Sequence, residues 1–99
     1  MTLTVHVSRR AAREIERLAE WWSVHRPAAP GAVSADLAAA LSILREQPGI
    51  GSRVVQAGSP DTRRFHLDRI GHWVYYRTKL DRLELLSVWY SGRKRMPEV

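Results

Sequence analysis

The sequence contains no cysteine and no long apolar run. Without cysteine the chain forms neither disulfides nor thiolate metal sites, which favours a reducing compartment. No stretch approaches the roughly 20 apolar residues that a helix needs to span a bilayer. The opening segment 1–7 also lacks the basic and then apolar plan of a signal peptide. We therefore expect a cytoplasmic protein without a membrane segment.

Internal repeats, linkers and low-complexity segments are absent as well. A length of 99 residues with 44% hydrophobic residues predicts a single folded domain over residues 1–99. Acidic residues are outnumbered, ten to sixteen, for a net charge of +6, and residues 51–99 hold ten of the basic side chains against five acidic ones. Such an excess attracts nucleic acid or acidic protein surfaces, although a plain solvated surface also accommodates it.

The first half of the chain predicts one strand followed by two helices. Leu3, Val5 and Val7 alternate with polar residues, as in a strand with one buried face. Ser8 is a suitable N-cap for the first helix, and the proline- and glycine-containing segment 27–31 separates it from the second. We expect the two helices to form an antiparallel hairpin. Their apolar stripes are Ala11, Ile15, Leu18 and Trp22 in the first helix and Val33, Leu37, Leu41 and Leu44 in the second.

The second half has the two-residue period of β-strands. In one of these strands Phe65 and Leu67 share a face, while Arg64 and His66 share the other. Short turns between the strands favour antiparallel pairing. The predicted fold class is α+β, in the order β-α-α-β-β-β-β, with the helical hairpin packed on one face of a mainly antiparallel twisted sheet. The strands are expected at residues 53–57, 62–67, 72–80 and 83–90.

Short segments from both halves of the chain occur in an order that is typical of a known protein family. The first half contributes a strand-to-helix start at 7–11, the pair Trp21 and Trp22, and a helix end that reads L-R-E-Q-P-G-I-G at 44–51. The second half contributes R-R-F at 63–65, W-V-Y-Y-R at 73–77 and L-S-V-W-Y-S-G-R-K-R at 86–95. In this order the segments resemble the RelE/ParE superfamily of toxins from bacterial type II toxin–antitoxin modules.

This resemblance implies a toxin, and the superfamily offers two targets for it. ParE-like members poison DNA gyrase, whereas RelE-like members are ribosome-dependent endoribonucleases that cut mRNA. The long paired helices and the P-G-I-G break at 48–51 are more similar to ParE. A non-toxic nucleic-acid-binding regulator is a third reading, although the sequence has no helix-turn-helix or RNA-binding signature.

A ribonuclease would need groups that contact the scissile phosphate and transfer protons. The candidate set on this chain is Arg64, Arg77, Tyr90 and Arg93, with His66 as a second proton-transfer candidate. Tyr90 stands where many relatives carry histidine, and arginines on a strand are often solvated or paired with acids. The segment between Gly51 and Pro60 also contains a single basic residue, unlike the lysine-rich strand of RelE-like ribonucleases. These departures favour gyrase poisoning without catalysis.

A gyrase poison needs a binding surface rather than a catalytic set, and the basic C-terminal segment is the candidate. The target-binding residues predicted for it are Arg93, Lys94, Arg95 and Met96. The resemblance further implies a cognate antitoxin, ParD-like or of another family, that forms a hetero-oligomer with the toxin. Its predicted contacts in a groove between hairpin and sheet are Ile15, Leu18, Trp22 and Leu41.

The remaining aromatic and histidine residues give weaker indications. Trp22, Trp73 and Trp89 are expected in the core between hairpin and sheet. Trp21 cannot share the stripe of its neighbour, and if it is exposed it indicates a partner surface. The four histidines show no metal-ligand spacing, so we expect neither a metal nor a cofactor.

Overall fold

The computed structural model describes residues 2–99. Two helices pack on a five-stranded mixed sheet, so the predicted α+β class and element order are confirmed. The elements are β1 (Thr4–Val7), α1 (Arg9–His25), α2 (Ala32–Glu46), a 3₁₀ turn (Pro48–Ile50), β2 (Ser52–Arg53), β3 (Thr62–Leu67), β4 (His72–Lys79) and β5 (Arg82–Tyr90).

The sheet has the strand order β1-β5-β4-β3-β2. The strands β2 to β5 form an antiparallel meander, as their short turns predict. β1 lies parallel to β5, with Val5 opposite Leu83. The first strand of the chain therefore pairs with the last, which places β5 between β1 and β4.

Helix α1 begins at a capped N-terminus that also fixes the helix to the sheet. The Ser8 Oγ accepts a hydrogen bond from the Ala11 N–H at 3.0 Å and donates to the Leu86 carbonyl at 3.2 Å. Farther along, the Glu14 carboxylate accepts from the Ser87 hydroxyl at 2.9 Å and from the Val88 N–H at 3.1 Å. This carboxylate thus accepts hydrogen bonds from the part of β5 that lies beyond the end of β1 and has no partner there from β1.

The main core lies between the helices and one face of the sheet. Both predicted helix stripes contribute to it, as do Phe65 and Leu67 of β3, which confirms the predicted face of that strand. Its most deeply buried members are Ala11, Val33, Leu44, Val74, Tyr76, Leu83 and Leu85.

A bulge in β5 changes the face on which the later residues lie. Tyr75 is opposite Ser87 but Tyr76 is opposite Leu85, so Leu86 has no cross-strand partner. After this extra residue, Val88 joins the helix-facing core and Trp89 lies on the opposite, outer face. Strict alternation from Leu83 would have given the reverse.

The structure corrects the prediction for two tryptophans, Trp89 because of the bulge and Trp73 because it shares the face of its partner His66 in the regular β3–β4 register. Trp22 lies in the core under the helices, as expected. Trp73 and Trp89, which are cross-strand partners, lie instead on the outer face with Tyr75. There they form a second apolar cluster, covered by the C-terminal segment, with Val54, Ala57, Leu86, Met96 and Val99.

Two predicted strands also differ in extent. Leu3 is buried but precedes β1, and Val7 at its end is 47% exposed because β1 is an edge strand. The strand expected at 53–57 is only Ser52–Arg53, since the chain then turns and buries Val54 on the outer face. In the part of the chain that the structure describes, no helix is long and apolar enough to cross a membrane.

The end of α2 is joined to the sheet by one buried tyrosine. The Tyr76 Oη donates to the Pro48 carbonyl at 2.6 Å and accepts from the Gly51 N–H at 3.0 Å. Burial raises the pKa of this phenol above its ordinary value of 10.0. A Cβ on Gly51 would collide with the Tyr76 Oη and lie 2.8 Å from the Arg64 carbonyl oxygen.

We predict that Gly51→Ala destabilises the fold by about 1–3 kcal/mol, because the methyl group displaces the phenol and leaves buried polar groups unpaired. Tyr76→Phe should cost a similar amount by removing both hydrogen bonds. Urea unfolding at neutral pH measures these changes. Gly49→Ala is the matched control, since its Cβ would meet no atom within 4 Å. Equal losses for Gly49→Ala and Gly51→Ala would contradict the prediction.

Candidate functional site

A groove runs between the C-terminal end of α1 and the turn that joins β3 to β4. Its volume is about 520 Å³. Aromatic side chains dominate its rim, and two arginines and one aspartate stand among them. The lining residues are Leu18, Trp21, Trp22, Arg26, Asp68, Arg69, Ile70, Gly71, His72 and Tyr90.

Trp21 is the most conspicuous side chain of this groove. It is 45% exposed, yet its ring stacks on that of His25 with centroids 4.5 Å apart and an interplanar angle of 12°. The Arg26 guanidinium carbon lies 5.4 Å from the same ring centroid. Because these neighbours hold it in place, an exposed Trp21 offers a large apolar surface at little further entropic cost.

Across the groove, His72 and Tyr90 form the sheet side of the wall. Their ring centroids are 5.5 Å apart, and Tyr90 is 54% exposed. The His72 Nδ1 lies 2.7 Å from the Ile70 carbonyl, so Nδ1 is the protonated nitrogen and Nε2 is left as an acceptor. Burial is the main cause that lowers the pKa of His72 below 6.5, which keeps the ring neutral at physiological pH.

The four residues predicted to contact an antitoxin belong to the hydrophobic core. Trp22 is buried, and its indole N–H donates to the Ala29 carbonyl at 2.8 Å. Ile15, Leu18 and Leu41 are half-buried against the core. Leu18 and Trp22 also line the groove, and the other two do not. The contact with an antitoxin stays a prediction, and Trp21 offers the more accessible surface.

The outer face of the sheet carries two stacked pairs of cation and aromatic ring. The Arg64 guanidinium lies 3.9 Å from the Trp73 ring centroid, and that of Arg93 lies 4.0 Å from Trp89. Because the two tryptophans are cross-strand partners, these arginines are neighbours. His66 meets the edge of Trp73 at 4.7 Å and pairs with the Asp68 carboxylate at 2.6 Å. This surface is cationic and ordered by stacking.

The predicted ribonuclease set is not assembled at one place. Arg64 and Arg93 lie together on the outer face, but the bulge puts Tyr90 on the groove side. Arg77 donates to the Glu84 carboxylate at 2.7 Å. That hydrogen bond is the main cause that lowers the pKa of Glu84, and it compensates the charge of Arg77. His66, the second proton-transfer candidate, lies beside Arg64 on this face. The geometry thus brings two cations and one histidine together, but without Tyr90.

Similarity to known proteins agrees with this fold. A family profile described as the ParE toxin of the type II toxin–antitoxin system, parDE, matches residues 5–95. The chain belongs to the ParE toxin family. A solved structure, the chromosomal ParDE toxin–antitoxin system from P. aeruginosa, has 17% sequence identity and a TM-score of 0.72 over 90% of this chain and 96% of that one. No protein with a curated function matches the sequence significantly.

In this ParE-family chain, the predicted target-binding segment folds back on the sheet. The Trp89 indole N–H donates to the Arg95 carbonyl at 2.9 Å, and the Gly58 N–H donates to that of Val99 at 3.1 Å. Met96 packs in the outer apolar cluster, whereas the side chains of Arg93, Lys94 and Arg95 are exposed. The segment thus presents three cations from an anchored backbone, with Met96 serving as part of the anchor.

Sequence reasoning missed the groove wall opposite α1 in this ParE-family chain. Residues 68–71 form a turn, which carries no periodic signal, and the pairing of His72 with Tyr90 depends on the bulge. The sequence feature that pointed to the groove was the adjacency of Trp21 and Trp22, since a single helix stripe cannot bury both. Within residues 2–99, no three His, Asp or Glu side chains come together as a metal site would require.

We predict that the fold loses stability as the pH falls below about 6.5. His72 has a lowered pKa in the folded chain, so the unfolded chain takes up a proton first and is favoured in acid. The stabilisation is complete above the unfolded pKa and declines between it and the lower folded value. Thermal unfolding from about pH 7.5 to pH 5 should show a shallower decline for His72→Gln than for the native chain. An unchanged pH slope would contradict this, and His6→Gln, at an exposed position, is the control.

Proposed function

We propose that this chain is the toxin of a type II toxin–antitoxin module, that it stops growth by poisoning DNA gyrase, and that a cognate antitoxin neutralises it. The family match over residues 5–95 is the observation that carries the proposal. The structure adds a supporting argument, because Tyr90 lies apart from Arg64 and Arg93 and the charge of Arg77 is compensated by Glu84. A poison needs only a surface that fits its target.

The basic C-terminal segment is the proposed gyrase contact. Arg93, Lys94 and Arg95 are exposed cations on an anchored backbone, and a fixed cluster of charge binds a complementary surface with less loss of entropy than a mobile one. The segment lies at the rim of the outer face, where Arg64 is a further cation beside it. The anchoring contacts come mainly from backbone carbonyls and Met96. The side chains of Lys94 and Arg95 are therefore left for a partner, and Arg93 stays exposed while it lies over the Trp89 ring.

We predict that purified toxin stalls gyrase supercoiling and traps DNA breaks, and that antitoxin relieves both effects. Replacing Arg93, Lys94 and Arg95 together by alanine should raise the toxin concentration needed for half-maximal cleavage at least tenfold, because the charge complementarity is lost. The matched control replaces Arg9, Arg13 and Arg17 by alanine. These side chains are exposed on α1, and replacing them removes the same charge.

Two results of this assay would contradict the gyrase proposal. One is a gyrase that stays active at saturating toxin, and the other is an equal effect of the two triple variants. If gyrase is unaffected, ribosome-dependent mRNA cleavage becomes the test, with Arg64→Ala as the first variant. A chain that neither cleaves mRNA nor affects gyrase or growth would favour the nucleic-acid-binding regulator.

The proposed antitoxin site is the groove between α1 and the β3–β4 turn. Trp21 and Tyr90 are exposed at its two sides, and Arg26 lies at its end. An antitoxin segment with an apolar anchor and acidic flanks complements this arrangement and the net charge of +6. The half-buried Leu18 would form part of the floor.

We predict that Trp21→Ala weakens antitoxin binding about 10- to 100-fold, because rigid exposed tryptophans are frequent hot spots. Calorimetric titration with the cognate antitoxin measures the change. Val24→Ala is the matched control: Val24 lies on the same helix and is 72% exposed, but it is not part of the groove lining. Equal losses for the two variants, or none for Trp21→Ala, would place the antitoxin elsewhere.

A further inference from the structure

Two arginines face each other across β2 and β3 at the edge of the sheet. Arg53 and Arg63 are direct cross-strand partners, and like charges in this arrangement repel each other. Within residues 2–99, neither guanidinium lies within ion-pair distance of a carboxylate. Elsewhere on the sheet, by contrast, Arg77 forms an ion pair with Glu84. The Arg53–Arg63 pair therefore has no ion-pair partner among residues 2–99.

Both guanidinium groups are nevertheless held in position. One Nη of Arg53 donates to the Pro60 carbonyl at 3.1 Å, and one Nη of Arg63 donates to the Gly51 carbonyl at 2.7 Å. Each guanidinium has five N–H donors in a planar fork, so most of them are left without a protein acceptor. Fixed, charged and unsatisfied donors favour a planar or tetrahedral oxyanion.

These two side chains line a cavity of about 290 Å³. The Tyr76 hydroxyl in its wall is already used by Pro48 and Gly51, so the free donors come from the arginines. Asp61 is the one carboxylate in the wall, and the two arginines exceed it in charge. The lining is Pro48, Gly49, Arg53, Pro60, Asp61, Arg63, Tyr76 and Thr78, and it shares no residue with the groove beside Trp21.

We propose that this cavity binds a phosphate group through Arg53 and Arg63. Bidentate hydrogen bonds from arginine match the oxygen spacing of phosphate, and a dianion would replace the repulsion between the two cations by attraction. The volume is at the lower limit for ligand pockets, which fits inorganic phosphate or a nucleoside monophosphate. This binding site is independent of the proposed antitoxin and gyrase surfaces.

Titration calorimetry in low-salt, phosphate-free buffer tests the site with inorganic phosphate and with AMP. We expect saturable binding that Arg53→Gln and Arg63→Gln each weaken about tenfold, because each removes a charge-assisted bidentate contact. Asp61→Asn should tighten binding several-fold by removing a repelling charge, a gain that misfolding cannot produce. Arg17→Gln, an exposed arginine of α1, is the control and should have no effect.

Each outcome of this titration decides between specific alternatives. Binding of AMP at least tenfold tighter than phosphate identifies a nucleotide as the ligand, and equal binding identifies phosphate alone. The proposal is overturned if neither probe binds saturably, if acetate at equal ionic strength displaces phosphate, or if Arg17→Gln weakens binding as much as Arg53→Gln does.

Thermal unfolding gives a second readout, and its comparison without phosphate does not depend on ligand affinity. In phosphate-free, low-salt buffer, Arg53→Gln should raise the melting temperature by about 1–4 °C, because it relieves the cross-strand repulsion. Added phosphate should stabilise the native chain more than the Arg53→Gln variant at the same concentration, because the variant binds it more weakly. A variant that is less stable than the native chain without phosphate, and equally stabilised by it, would refute the site.

Discussion

The extra residue in β5 is the constraint on which both surfaces of this protein depend. Since Leu86 has no partner on β4, every residue after it changes face. Val88 then completes the core under the helices, while Trp89 stacks beside Trp73 on the outside. One bulge therefore adds Val88 to the apolar core on one side and Trp89 to the ordered cationic and aromatic surface on the other.

Each surface has a different physical character. The groove beside α1 combines the exposed Trp21 and Tyr90 with a neutral, half-buried His72, and it suits an apolar anchor. The outer face instead uses its tryptophans as supports for Arg64 and Arg93, so its aromatic rings are already covered and its charge is what a partner meets. A toxin can thus offer chemically different surfaces to an antitoxin and to a target.

The C-terminal segment joins the outer surface to the rest of the fold. Its carbonyl groups and Met96 face inward, held by Trp89 and by the loop at Gly58, and its basic side chains face outward. The Arg53–Arg63 pair at the far edge of the sheet shows a second way of displaying charge, in which carbonyl oxygens fix the guanidinium groups without neutralising them.

The sequence by itself determined the α+β class, the order of the elements, both helix stripes and the inward face of Phe65 and Leu67, because these follow from periodicity and from short turns. Family membership was likewise readable from ordered local segments. Only the tertiary structure decided the parallel pairing of β1 with β5, the position of the bulge, the groove wall at 68–71 and the division of Arg64 from Tyr90. Those features arise from contacts between residues distant in sequence, and a single unpaired residue is enough to reverse the face that a regular alternation predicts.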